Sequence, residues 1–198
     1  MNIQTFCGAA IAPHVADLAR LRMTVFASFP YLYQGSEAYE ADYLATYSAS
    51  PESLFVLAID DGAIVGASTG MPMADETDAV KKPFLAAGHD PARIFYFGES
   101  VLLPAYRGQG LGVRFFEERE AYARRLQRFD TMAFCAVDRP ENHPARPADY
   151  QPLHAFWQKR GFRHHPELIA EFSWTDIGDS KETAKPLSFW LKDIRPAR

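Results

Sequence analysis

Between Val101 and Gly112 the chain reads Val-Leu-Leu-Pro-Ala-Tyr-Arg-Gly-Gln-Gly-Leu-Gly. Glycines at 108, 110 and 112 remove side chains where backbone amides must converge, and a helical pattern follows at once. The free N–H groups of a helix start, with its partial positive charge, make such a turn an anion site, most naturally for phosphate. Arg107 can add a charge-assisted contact. A dinucleotide fingerprint fails, because the sixth position counted from Gly108 is Val113. No Gly-Lys-Ser/Thr follows, so a P-loop fails as well.

Glu99 is the second chemical candidate. It is the only acid in the otherwise apolar run Ile94–Leu103. Burial there would raise its pKa toward the working range of a general base, or let it anchor an amine. The competing reading is a structural carboxylate bound by an arginine or a hydroxyl. Cys135 lies in the apolar run Thr131–Val137 and reads as a small core residue, with a nucleophilic pairing to His154 as the weaker option. His143, His154, His164 and His165 share one quarter of the chain. The adjacent pair points apart and no His-x-x-x-His stands beside a carboxylate set, so no metal is expected.

These residues need a frame. Val15, Leu18, Leu21 and Val25 recur at helical spacing and predict a first helix from about Pro13 to Phe26. A second is expected over Ser36–Tyr47. Ser53–Ile59 and Ala63–Thr69 flank Asp60-Asp61-Gly62 and predict a hairpin. A helix over Asp75–Ala87 stops at Gly88, and a strand covers Arg93–Leu103. The glycine loop leads into a helix from about Gly110 to Gln127. Thr131–Val137 follows as a strand covered on both faces. Asp138–Pro152 holds four prolines and predicts an ordered loop. A helix over Pro152–Arg160 ends at Gly161, and Leu168–Trp174 with Pro186–Lys192 close the chain as antiparallel strands. Strand–helix–strand in the middle, with hairpins on both sides, predicts one locally parallel pair in a mixed sheet.

The chain has 198 residues, 47% of them apolar, which suits a single domain with a full core. Its longest apolar runs, Leu54–Ile59 and Met132–Val137, are far shorter than the about 20 residues a membrane span needs. Neither a secretory leader nor a disulfide framework is expected. With 21 basic against 25 acidic residues the net charge is −4, which disfavours nucleic acid as a partner. A cytoplasmic protein without membrane or nucleic-acid partners is the expectation.

Arg107-x-x-Gly110-x-Gly112, after a strand ending at Pro104, resembles the acyl-CoA pyrophosphate loop of the GCN5-related N-acetyltransferase (GNAT) superfamily. Phe156-Trp157-Gln158-Lys159-Arg160-Gly161-Phe162 is similar to the aromatic helix ending in Gly-Phe that many members carry after the next strand. The resemblance spans roughly residues 93–175. It implies an α/β (α+β) GNAT-like fold over 1–198: a mixed, mostly antiparallel sheet of about six or seven strands, flanked by helices and splayed between the fourth and fifth.

The resemblance also implies a mechanism. Acetyl-CoA serves as co-substrate, and an amine attacks its thioester directly in a ternary complex, with no metal. Arg107 and the backbone of Gly108, Gln109, Gly110, Leu111 and Gly112 would hold the pyrophosphate. A backbone N–H near Leu102 or Leu103 would stabilise the oxyanion. Many relatives place the base eleven residues before the loop arginine, which here is Tyr96. Glu99 is eight before it, and an odd shift along a strand can change the face. A tyrosine that protonates the leaving thiolate often stands four residues before Gly-Phe, where this chain has Trp157. An asparagine often stands seven residues earlier, where this chain has Tyr150. Tyr150 could substitute as the acid, and His154 is another option, although a CoA thiol leaves well without one.

Phe29–Tyr33, with Tyr39 and Tyr43, sits where the family places a mobile acceptor-site wall, or else packs on the sheet rim. Asp75, Glu76 and Asp78 read as a solvated helix start. The implied acceptor is a primary amine of a small molecule, because the segments 88–92 and 138–152 could narrow the site. The alternatives are an acyl-CoA-binding regulatory module without turnover, acetylation of a protein or aminoacyl-tRNA amine, and a Cys135 hydrolase. Dimers are frequent in the superfamily, so a homodimer stays open.

Overall fold

A computed structural model describes residues 1–194, and the expected domain's last four residues lie outside the described ones. The chain runs β1 (Asn2–Cys7), α1 (Val15–Phe26), α2 (Glu37–Ala49), β2 (Leu54–Asp60), β3 (Ala63–Pro72), α3 (Asp78–Ala86), β4 (Ile94–Leu102), α4 (Leu111–Arg125), β5 (Thr131–Val137), α5 (His154–Gln158), β6 (Arg163–Thr175) and β7 (Glu182–Asp193). The strands form one seven-stranded sheet in the order β1-β2-β3-β4-β5-β7-β6. Every pairing is antiparallel except β4 with β5.

Local chemistry explains the frame. Asp61 and Gly62 both take positive φ, 46° and 80°, as the tight β2–β3 turn requires. The Ser36 hydroxyl accepts the amide of Tyr39 and caps α2, a contact worth about 1 kcal/mol. Gly161 at φ 84° stops α5, and Phe162 N–H returns to the carbonyl of Trp157.

Helices cover both faces of the sheet. Phe55 and Leu57 of β2 pack with Leu18, Leu21 and Leu44 of α1 and α2, while Leu54 and Val56 pack on Leu111 and Phe115 of α4. This two-sided cover is why β2 shows no polar alternation. Phe55, Phe95, Phe97 and Phe115 are fully buried, each contributing on the order of 1.5–3 kcal/mol. No helix among the described residues is long and apolar enough to cross a membrane.

The expected elements are present with corrected ends. Pro13 belongs to a 3₁₀ turn, Gly8–His14, and α1 begins at Val15. A second 3₁₀ turn takes Met73–Asp75, so α3 starts only at Asp78. β1 was not expected: it is an edge strand in which only Ile3 and Phe6 are even partly buried. β6 and β7 extend well beyond their apolar runs, because β6 is an edge strand whose outward positions are mostly polar, with Ile169 exposed among them.

Candidate active site

β4 organises the site. Its first half alternates normally: Ile94 and Tyr96 face α3, while Phe95 and Phe97 face α4. The register with β3 then slips, since Gly70 pairs with Phe97 but Ser68 pairs with Ser100. Thr69 therefore opposes both Gly98 and Glu99, which is a β-bulge. Past the bulge the parity is inverted. Val101 packs with Leu18, Leu44 and Tyr47, whereas Ser100 Oγ meets Arg119 of α4 at 2.8 Å. Tyr96 and Glu99 thus share the α1–α2 face despite their odd spacing. Gly98 permits this, because a Cβ there would lie 2.2 Å from the Tyr47 hydroxyl.

The bulge is secured from α4. Arg119, 1% exposed, donates to the carbonyls of Thr69 and Glu99 and lies 4.2 Å over the Phe97 ring. Burial lowers its pKa to about 9. Arg119 lies on the stripe Phe115–Arg119–Ala123, and that periodicity was its signal in the sequence.

Glu99 is buried, but it is not isolated among apolar groups. Its Oε2 accepts the hydroxyls of Tyr43 (2.6 Å) and Thr69 (2.9 Å), and its Oε1 lies 2.9 Å from Arg22 Nη1. Arg22 Nε also donates to Glu40, and the guanidinium lies 3.7 Å over the Tyr43 ring. Two buried carboxylates therefore share one buried guanidinium. Burial, and then the charge of Glu99, push the Tyr43 hydroxyl well above its usual range, so it stays a donor. Arg22 and Glu40 were missed, although Arg22 stands four after Leu18 and Glu40 four before Leu44 on buried stripes.

A third carboxylate corrects the sequence reading. Glu76 is 6% exposed and not solvated: it accepts the Tyr47 hydroxyl (2.8 Å) and the Thr77 amide (2.7 Å). Burial raises its pKa. The Tyr96 hydroxyl lies 3.2 Å from Cys135 Sγ, and burial pushes the Cys135 thiol up to about 12. That thiol is no nucleophile at neutral pH. Cys135 also faces away from Phe134, whereas His154 packs with Trp157 and Trp190 on the Phe134 side. The Cys135–His154 pairing does not form.

β4 and β5 pair only from Ile94–Tyr96 to Thr131–Ala133, and beyond that point they separate. Leu103 N–H bonds the carbonyl of Val65. By the alternation of an antiparallel ladder, the N–H and C=O of Leu102 point the other way, into the gap. Its carbonyl takes Arg107 Nε at 3.3 Å. The two expected amides therefore divide: Leu103 is used by the sheet, and Leu102 faces the opening.

The loop after β4 turns at Gly108 (φ 75°) and Gly110 (φ 84°), and a Cβ on either would meet nothing within 4 Å. These two glycines serve the backbone. Gly112 instead lies against the Phe156 ring. Gln109 Nε2 bonds the carbonyl of Ala105, which tightens the turn ahead of Leu111, the first residue of α4. An open left-handed turn at the start of a 15-residue helix, beside the exposed Arg107 whose Nε reaches the Leu102 carbonyl, can hold an anion such as a pyrophosphate.

Tyr150 packs edge-on against Phe29 at 4.7 Å, with Arg146 4.9 Å from its ring, and burial raises its pKa. Trp157 is part of the aromatic core with Phe134 and Trp190. The structure therefore brings Tyr150 to the Phe29–Tyr33 segment, and not to Trp157.

The model of the acetyltransferase (GNAT) family matches residues 18–162. Solved structures resemble the whole chain at low identity. A ribosomal-protein-alanine N-acetyltransferase from Brucella melitensis is 12% identical, with TM-score 0.62 over 98% of this chain and 100% of its own. An aminoglycoside 6'-N-acetyltransferase complexed with coenzyme A is 15% identical, with TM-score 0.60 over 100% and 99%. The Salmonella typhimurium protein yncA, with its cofactor acetyl-CoA, is 12% identical, with TM-score 0.62 over 100% and 97%. No curated protein matches the chain.

Proposed function

The chain belongs to the acetyltransferase (GNAT) family, and from that membership we propose that it moves an acetyl group from acetyl-CoA to the primary amine of a small molecule by direct attack in a ternary complex. The observation that carries this reading is the Leu102 N–H facing the β4–β5 gap, a few residues before the left-handed turn at Gly108 and Gly110.

Arg107 and the backbone of Gly108, Gln109, Gly110, Leu111 and Gly112 hold the pyrophosphate. Leu102 N–H donates to the thioester oxygen as charge develops there, while Leu103 keeps the strand fixed through Val65. Glu99 is the proton sink. Both its oxygens are engaged, so the proton arrives by relay: the Tyr43 hydroxyl passes its proton to Oε2 as its oxygen takes one from the amine. Tyr150 keeps its proton at neutral pH and is assigned to protonating the departing thiolate from the acceptor side.

Packing of the 138–152 loop on Phe29 supports a small acceptor. We take 1–198 as one domain acting in the cytoplasm, alone or as a homodimer, without nucleic-acid or membrane partners. One observation favours a second reading: Trp157 replaces the usual tyrosine and is built into the core. A CoA-binding regulator without turnover would tolerate that. Calorimetric titration with acetyl-CoA and with CoA tests the site. Micromolar binding, lost in Gly110→Glu, is expected, and no binding by the unaltered protein would overturn the reading. Turnover with any amine would exclude the regulator.

A further inference from the structure

The segment between α1 and α2 is fastened to the far side of the sheet. Arg139, just beyond β5, donates through Nε to the carbonyl of Pro30 (2.8 Å) and through Nη2 to that of Tyr31 (2.8 Å). The same guanidinium grips Asp176 with both terminal nitrogens, at 2.8 and 2.9 Å. Asp176 follows β6, and its backbone bridges Tyr33. Gln34 N–H bonds Thr175, Ile177 N–H bonds Leu32, and Trp174 Nε1 bonds the Tyr31 carbonyl. Lys185 of β7 stands 3.4 Å from the same carboxylate. A planar guanidinium that meets a carboxylate and two carbonyls at once is a rigid joint, which a lysine cannot reproduce.

The fastened segment lies over the β4–β5 gap. Tyr31 packs with Val137, Trp174 and Cys135, and it is close enough to Arg22 and Glu99 to feel their charges. This is the face opposite α4, from which an amine must approach if the thioester comes from the α4 side. An amine on a polypeptide brings flanking chain that must leave the site, and a wall joined from α1–α2 to β6 blocks that exit.

We propose that Arg139 and Asp176 are positioning residues whose ion pair holds Phe29–Gln34 as a fixed wall over the gap, and that this wall limits the acceptor to small amines presented end-on. The inference rests on the acetyl-transfer reading above and adds what sets acceptor size.

The test compares a small diamine with a lysine-containing decapeptide as acceptors, for the unaltered protein, Arg139→Lys and Asp176→Asn. The unaltered protein prefers the diamine. Each variant raises the diamine KM about tenfold and erodes the preference over the peptide by a similar factor, with the acetyl-CoA KM unchanged. Amide exchange adds a readout that needs no variant: Gln34 and Ile177 are protected as well as β6 itself. An unchanged diamine KM, an unchanged preference in both variants, equal use of the peptide by the unaltered protein, or fast exchange at Gln34 and Ile177 would each overturn the proposal. Binding of acetyl-CoA without turnover of any amine would instead sink the transferase reading, and this inference with it.

Discussion

Tyr96 and Glu99 stand three residues apart on β4 yet face the same side of the sheet, because Gly98 and Glu99 together oppose Thr69. The bulge carries Glu99 to Arg22 and Tyr43, and it hands the carbonyls of Thr69 and Glu99 to Arg119. One inserted residue thus converts an ordinary strand into the floor of the proposed site.

Gly98→Ala tests whether the bulge depends on the missing side chain. The new methyl would overlap the Tyr47 hydroxyl and Thr69 Oγ1, costing about 1–3 kcal/mol as overpacking. Adding Tyr47→Phe should recover part of that loss, and a double-mutant cycle by urea unfolding measures the coupling. Additive losses would mean that the clash is relieved elsewhere.

Glu99→Gln and Tyr43→Phe address the relay. Each should lower kcat by about 10²–10⁴ while leaving acetyl-CoA binding intact. The double variant should be little worse than either single one, since both break the same path. Steady-state kinetics in both substrates reads this directly. An unimpaired Tyr43→Phe would move the proton path to ordered water.

Arg22 supports two buried carboxylates. Arg22→Met leaves Glu40 and Glu99 uncompensated and should cost about 3–5 kcal/mol. Restoring neutrality with Glu40→Gln and Glu99→Gln should recover much of it in chemical denaturation. No recovery would show that packing, and not charge, is what Arg22 provides.

The acid limb of stability tests the joint at Asp176. Burial acts to raise its pKa, but the hydrogen bonds and charge of Arg139, with Lys185 behind it, hold it below the ordinary carboxylate range. A lowered folded-state pKa adds stability that is fully present above the unfolded value, near pH 4, and fades as pH falls through the folded one. Asp176→Asn should therefore be less stable at neutral pH and lose stability less steeply below about pH 4. Parallel acid limbs would deny the pair its charge.

The core strands and the glycine loop were legible because apolar runs and left-handed glycines act locally. Thr131–Val137 has the same ends in sequence and structure, and Gly108 and Gly110 take the conformations their loop needed. β1 was hidden because an exposed edge strand needs little apolar signal. The surroundings of Glu99 were hidden for another reason. Its partners lie on α1, α2 and β3, and a bulge, which no period-2 pattern reports, decides which of them it meets. Arg22, Glu40 and Arg119 could have been suspected, as charges on otherwise apolar helical stripes. Glu76 could not, since nothing beside Asp75 and Asp78 separates a buried acid from a solvated one.

The reaction proposed for this chain is acetyl transfer at the β4–β5 gap. The most direct measurement is acetyl-CoA-dependent thiol release across a panel of small primary amines, with the unaltered protein and Gly110→Glu side by side. Turnover with at least one amine is expected, with the acetylated amine found by mass in equal amount to the thiol, and loss of that turnover in the variant. Thiol release that needs no amine, or turnover that survives a carboxylate at Gly110, would contradict it.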